Sequence, residues 1–346
     1  MRMLFAAFCL CLVAIGPSWA ESPRLPETWP QPTELKRLEG VAVAFESHSP
    51  FSLADVGEGP ENDPPTQADG RLYLPQGASA DSPVPAVVLL HGAGGVLQPR
   101  EPTYARQFAA MGLAALVIDA FAARRDRAVG FTERVLNITE MMILADAYAG
   151  LAYLGSLPEV DGDRVALIGF SYGGMATTYA AHEQVAEILS PGGPRFGAHV
   201  AYYAPCIARF EDRRATGAPL LMLYGGRDAI VDPARCADAA EDLEQGGAQV
   251  ETIVYDEAFH QWDGVFSGPR TIGRDLSGCA FTVDEDGLAH DELTWLPMSG
   301  PFMRKLILGA CVRAEGYLIG RDDAVRAKSN RDVARFLNRV LLGEGI

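Results

Sequence analysis

The 346-residue chain is short of positive charge: 29 lysines and arginines stand against 45 aspartates and glutamates. No basic cluster offsets that balance, so a phosphate backbone would be repelled and nucleic acid is excluded as a partner. Long apolar runs are scarce too. The run Leu4–Ile15 falls short of the roughly 20 residues needed to span a bilayer, and no later segment approaches that length. No His, Cys and carboxylate spacing resembles a metal site, no internal repeat or low-complexity tract occurs, and no cofactor is called for. Cysteine is sparse, with six in all, and Cys9 and Cys11 fall in the N-terminal apolar stretch.

What is present at the N-terminus is Arg2, the apolar run, then Ser18, Trp19 and Ala20 before Glu21. This pattern predicts an export signal at residues 1–20 with cleavage after Ala20, and a periplasmic or secreted product at 21–346 with no membrane attachment. An uncleaved anchor is the alternative. Cleavage would remove Arg2 and leave 28 basic against 45 acidic residues, a net charge of −17. Four cysteines would remain, an even number in an exported chain, which argues for two disulfides out of three possible pairings. The preferred pairing is Cys206 with Cys236 and Cys279 with Cys311. Each bridge would close a loop of about 30 residues, worth about 3 to 4 kcal/mol in the chain-entropy model; free buried thiols are the competing reading.

Residues 21–67 are rich in Pro, Glu and Asp around one strand-like run, Val41–Phe45, and read as a surface arm carrying an edge strand. Strand and helix signals then alternate. Val84–Leu90 is a continuous apolar run, as a strand buried on both faces should be. A helix is expected over Thr103–Met111, a strand over Leu113–Ile118 and one long helix over Thr132–Leu154. After these come strand Val165–Ile168, helix Gly174–Val185, strands His199–Tyr203 and Pro219–Tyr224, helix Pro233–Gln245 and strand Val250–Tyr255. Ser329 and Asp332 read as the capping box of a closing helix with the stripe Val333, Phe336, Leu337, Val340 and Leu341. Repeated βα units predict an α/β fold, a mostly parallel sheet with helices on both faces. Gly264–Arg313 has no periodicity, yet it holds aromatics and two cysteines, so it reads as an ordered insertion before the last helix.

Gly169-Phe170-Ser171-Tyr172-Gly173 sits between a predicted strand and a predicted helix. With 36 glycines in the chain a GxSxG match alone is unspecific, but this context is that of a nucleophile elbow. A serine hydroxyl needs a base to take its proton, and the base needs an acid to hold its tautomer. In this chain order the base candidates are His260, five residues past a strand end, and His290 in the irregular segment. The acid candidates are Asp228, just beyond Pro219–Tyr224, and Asp232. The loop His91-Gly92-Ala93-Gly94-Gly95 follows a buried strand, and the amides of Ala93 and Tyr172 are assigned as donors to a developing oxyanion. A dinucleotide loop is the rival for Gly92 and Gly94, but Leu97 occupies the third glycine position. Asn137-Ile138-Thr139 matches a glycosylation acceptor, yet falls where helix is predicted.

These stretches together resemble the dienelactone hydrolase family of α/β-hydrolases. The matching features run from Val41 to Leu342: GRLYLP, VVLLHGAGG, VIDAFAAR, GFSYGG, YYAPC, GGRDAIVDP, FHQWDG and ARFLNRVL. The resemblance implies an α/β-hydrolase fold and carries the elbow, Asp228 and His260 over position by position. Founding members place cysteine at the elbow, whereas Ser171 here implies ordinary serine-esterase chemistry. They also bind a carboxylate through arginines. The one soon after the histidine is missing, since Gln261, Trp262, Asp263 and Gly264 stand there, and Arg124 is the candidate match for the other. The expectation is therefore an exported serine hydrolase of small carboxylic esters other than dienelactone. A peptidase, a polyester hydrolase or a non-catalytic binding protein on the same fold are the rivals.

Overall fold

The computed structural model describes residues 23–343 except Lys36, Ala128 and Val129. The expected export signal at 1–20 lies outside the described residues. Among the described residues nine strands precede the segment that follows His260: β1 (Val41–His48), β2 (Pro65–Tyr73), β3 (Val84–Leu90), β4 (Ala114–Ile118), β5 (Val160–Phe170), β6 (Ala198–Tyr202), β7 (Ala208–Phe210), β8 (Leu220–Gly225) and β9 (Val250–Tyr255). The helices among them are α1 (Glu101–Ala110), α2 (Phe131–Asn137), α3 (Glu140–Gly155), α4 (Tyr172–Tyr179), α5 (Glu183–Leu189) and α6 (Pro233–Gln245). Three short strands, β10 (Arg270–Ile272), β11 (Phe281–Val283) and β12 (Ala289–Asp291), helix α7 (Pro301–Cys311), β13 (Tyr317–Ile319) and α8 (Asp323–Val340) complete the chain.

The main sheet has eight strands in the order β1-β2-β4-β3-β5-β6-β8-β9. It is parallel from β4 onward, while β1 and β2 join antiparallel at one edge. Alternate side chains of the central strands feed opposite faces. Val88, Leu90, Leu116 and Leu167 pack with α3 and α4 on one side, and Val87, Leu89, Val117 and Ile168 pack with α1 and α8 on the other. The N-terminal arm is tied down across that second face. Asn338 on α8 accepts from the Leu25 amide at 2.8 Å and donates to its carbonyl at 2.9 Å, while Trp29 packs edge-on against Phe108.

Helix boundaries depart from expectation in three places. The run read as one helix over Thr132–Leu154 is two, α2 and α3, bent by 76° at a break where Thr139 caps α3 by accepting from the Met142 amide. Asn137, the glycosylation candidate, ends α2, and its side-chain amide donates to the Arg127 carbonyl. The run read as a helix over Gly174–Val185 likewise divides into α4 and α5. The closing helix starts at Asp323, not beside Ser329: Asp322 caps it by accepting from the Ala324 and Val325 amides. Ser329 is buried inside that helix, where it accepts from the Trp262 indole.

Both expected disulfides are present, Cys206–Cys236 and Cys279–Cys311. The second joins the turn Leu276–Gly278 to the end of α7. The segment without periodicity is thus ordered. β10 pairs with β13, and β11 pairs with β12 and, in parallel, with β7. Among the described residues no single helix is long and apolar enough to cross a membrane.

His182 and His199 are buried, and loss of hydration lowers each imidazole to about 4. The folded state keeps them neutral where the unfolded chain, with an ordinary value near 6.5, takes up a proton. Their contribution is therefore fully present above about pH 6.5 and lost as pH falls towards about 4, by about 3 kcal/mol for each histidine over the whole window. Urea unfolding followed between those limits should show this fall. A His199→Gln variant should show a visibly shallower one.

Candidate active site

Strand β5 runs into α4 through Ser171, whose backbone is held at φ 54° and ψ −109°. That left-handed region is strained for a residue with a side chain, at a cost of about 1 to 3 kcal/mol. The flanking glycines make the turn possible. A Cβ on Gly169 would lie 2.0 Å from the Gly173 carbonyl oxygen, and one on Gly173 would lie 2.6 Å from the Leu90 carbonyl oxygen at the end of β3. The Ser171 amide donates to the Tyr202 carbonyl of β6 at 2.9 Å, so the neighbouring strand also braces the turn.

The structure brings Ser171, His260 and Asp228 together. His260 Nε2 lies 2.8 Å from Ser171 Oγ, and His260 Nδ1 lies 2.7 Å from Asp228 Oδ2. His260 is fully buried and Asp228 nearly so, and the free carboxylate oxygen of Asp228 accepts from the Ile230 amide at 3.3 Å. The backbone of His260 is clamped as well. Its amide donates to the Leu318 carbonyl, and its carbonyl accepts from the Gly320 amide, both on the chain returning through β13. Four non-glycine residues among those described have positive φ, and Ser171, Tyr203 and Gln261 are all at or beside this site. Strain is thereby concentrated where the three side chains meet.

The competing candidates lie elsewhere. Asp232 is spent as the cap of α6, accepting from the Ala234 amide. His290, in the β11–β12 hairpin, bonds Asp284 at 2.8 Å and stacks on Trp295. Arg124 is not available to a ligand, which corrects the expectation that it matches a substrate arginine. It is buried, and its five donors go to Asp146, Ser49 and the carbonyls of Ala120, His48 and Met142.

A cavity of about 420 Å³ opens over Ser171, bounded by Ala93, Tyr172 and apolar side chains of α2, α4 and α7. The loop bearing Ala93 lies against the elbow: a Cβ on Gly92 would come within 3.3 Å of Ser171 Cβ. Tyr172 begins α4, in the first turn, where amides have no partner within the helix.

Two buried polar groupings around the site escaped sequence reasoning. Asp263, three residues past His260, accepts from Tyr203 at 2.5 Å and Tyr104 at 3.1 Å, and the Tyr203 ring meets His260 edge-on. Burial and then the Asp263 carboxylate hold the Tyr203 phenol well above its ordinary range. On the other side, the Tyr172 hydroxyl donates to the Ile138 carbonyl in the α2–α3 break at 2.7 Å. It accepts from Arg304 of α7 at 3.1 Å, and Arg304 also bonds Glu140 and the Val135 carbonyl. Although burial opposes its charge, Glu140 raises the Arg304 pKa above the ordinary value. No local pattern announces such partners, because they are separated by 132 and 164 residues.

The sheet order, the elbow and the cavity above it define an α/β-hydrolase. Within that class, the model of the dienelactone hydrolase family matches residues 68–264, more than half of the chain, and the chain belongs to that family. It is 33% identical over 125 residues to the quorum-quenching protein AidA of Acinetobacter baumannii, covering 34% of this chain and 38% of that protein. The chain spans about two fifths of the length of the curated relatives it matches (38% and 44%). Solved structures of low sequence identity share the fold. Thermogutta terrifontis esterase 2 phosphorylated by paraoxon has 14% identity and a TM-score of 0.51, covering 81% of this chain and 91% of that one. The uncomplexed Pyrococcus horikoshii acylaminoacyl peptidase has 15% identity and a TM-score of 0.51, covering 91% of this chain and 44% of that one.

Arg304→Met should cost about 2 to 4 kcal/mol in urea unfolding, because the partly buried Glu140 loses its cation and the Tyr172 hydroxyl and Val135 carbonyl lose a donor. Adding Glu140→Gln should recover part of that loss.

Proposed function

We propose that this protein is an exported serine hydrolase of carboxylic esters, with Ser171 as nucleophile, His260 as general base and then acid, and Asp228 as the group that orients His260. The observation that carries this reading is the unbroken hydrogen-bond chain from Asp228 through His260 to Ser171, at 2.7 and 2.8 Å, under a cavity that reaches the serine. With Asp228 accepting from Nδ1–H, Nε2 is left as the acceptor for the serine proton. Ser171 Oγ attacks the ester carbonyl as His260 takes that proton, and the amides of Ala93 and Tyr172 donate to the developing oxyanion. His260 returns the proton to the departing alcohol oxygen, leaving an acyl-serine. Water, deprotonated by the same imidazole, then attacks the acyl carbon and releases the acid and the free serine.

Support for export comes from the two disulfides, which persist in oxidising compartments, together with the N-terminal signal pattern. The apolar cavity favours an ester of small-molecule size.

A fluorophosphonate probe should label the wild type at Ser171 and leave Ser171→Ala unlabelled. Turnover of p-nitrophenyl esters by that variant should fall roughly 10⁴-fold or more. Undiminished turnover by Ser171→Ala would refute the assignment. Cleavage of peptide amides in preference to esters would replace the ester reading with a peptidase.

A further inference from the structure

The cavity is apolar over most of its wall, through Val135, Leu136, Met175, Leu308 and Val312. Its charged lining is one-sided: among the described residues Arg274, Lys305 and Arg313 are present and no acidic residue is. That is unexpected in a chain with 45 acidic and 29 basic residues. All three cations are exposed, and all lie beyond residues 68–264, the part that matches the family model. No ion pair engages any of them among the described residues. Arg274, next to β10, reaches across to α2, where its guanidinium donates to the Thr132 hydroxyl. Lys305 is on α7 and Arg313 follows it, so the three come from different turns of the chain and share one cavity.

Grouping like charges costs repulsion, and an acidic surface offers many carboxylates that could have neutralised them. Resting on the ester-hydrolase reading, we infer that the substrate is an anionic amphiphile: an ester whose apolar chain fills the cavity and whose carboxylate, sulfate or phosphate group meets Arg274, Lys305 and Arg313. The apolar wall rewards removal of a hydrocarbon chain from water. The cations act locally, since a Debye length of about 8 Å at physiological salt hides the net negative charge of more distant surface. One ester can carry its anion on the acyl or the alcohol side, and the cavity admits either.

The test uses two matched pairs of esters on the full-length protein. Mono-p-nitrophenyl suberate against p-nitrophenyl octanoate places the charge on the acyl side. 4-Octanoyloxybenzoate against its methyl ester places it on the alcohol side. In at least one pair the anionic member should have a kcat/KM about tenfold or more higher. That ratio should collapse towards one between about 20 mM and about 500 mM NaCl. It should also collapse in the variant Arg274→Gln, Lys305→Gln, Arg313→Gln. Neutralising Lys328, Arg335 and Arg339 on α8 instead changes net charge equally and should leave the ratio intact.

Equal or better turnover of the neutral member in both pairs overturns the inference, as does a ratio that survives the triple substitution. Binding separates this result from failure of the ester reading. Calorimetric titration of Ser171→Ala should find decanoate bound more tightly than decan-1-ol, with a salt dependence that the triple substitution removes. Equal binding of the two refutes the anion site whatever the enzyme turns over.

Discussion

The arrangement depends first on a steric constraint, the close approach of the β5–α4 turn to the ends of β3 and β6. Gly173 lies where any side chain would strike the Leu90 carbonyl, and the Ser171 amide is bonded to β6. The serine is therefore held in a strained conformation by strands on both sides, and its hydroxyl is presented above the sheet edge. Asp228 arrives from the end of β8 and His260 from the loop after β9, both adjacent to that point because the strand order places β8 two strands from β5. Parallel strands deliver their following loops to one edge, which is how residues 89 and 32 positions apart meet within hydrogen-bonding distance.

Much of this was legible in the sequence, for physical reasons that differ by element. Val84–Leu90 and Leu113–Ile118 read as buried strands because both faces are covered, so the apolar run is unbroken. Ser171, Asp228 and His260 were legible because turn chemistry and strand ends mark their positions. The α2–α3 break was hidden, since apolar residues continue through Ile138, which is itself buried and takes the Tyr172 hydroxyl bond. Helix α7 escaped because it is apolar on more than one side: Ile307 and Leu308 face inward while Phe302 and Leu306 remain exposed. The capping box expected at Ser329 lost to Asp322, because the first turns of α8 carry little apolar content and gave no periodic signal.

Arg124 shows how a residue can match a pattern and still serve a different purpose. Its guanidinium is saturated by Asp146, Ser49 and carbonyl oxygens, and it knits the strand β1 and helix α3 together beneath the sheet edge. Positive charge reaches the cavity from another part of the chain, the segment following His260. That segment lies outside the stretch matched by the family model, whereas Val135, Leu136 and Met175 of the apolar wall lie within it, so both parts of the chain line the cavity.

The backbone clamp on His260 has a mechanical consequence. Leu318 and Gly320, which grip the imidazole-bearing residue from both sides, lie at the exit of a stretch that lines part of the cavity. A lining segment anchored in this way cannot swing away on a hinge at its exit without dragging the histidine out of register. Transplanting that segment onto another scaffold would carry the histidine's alignment along with it.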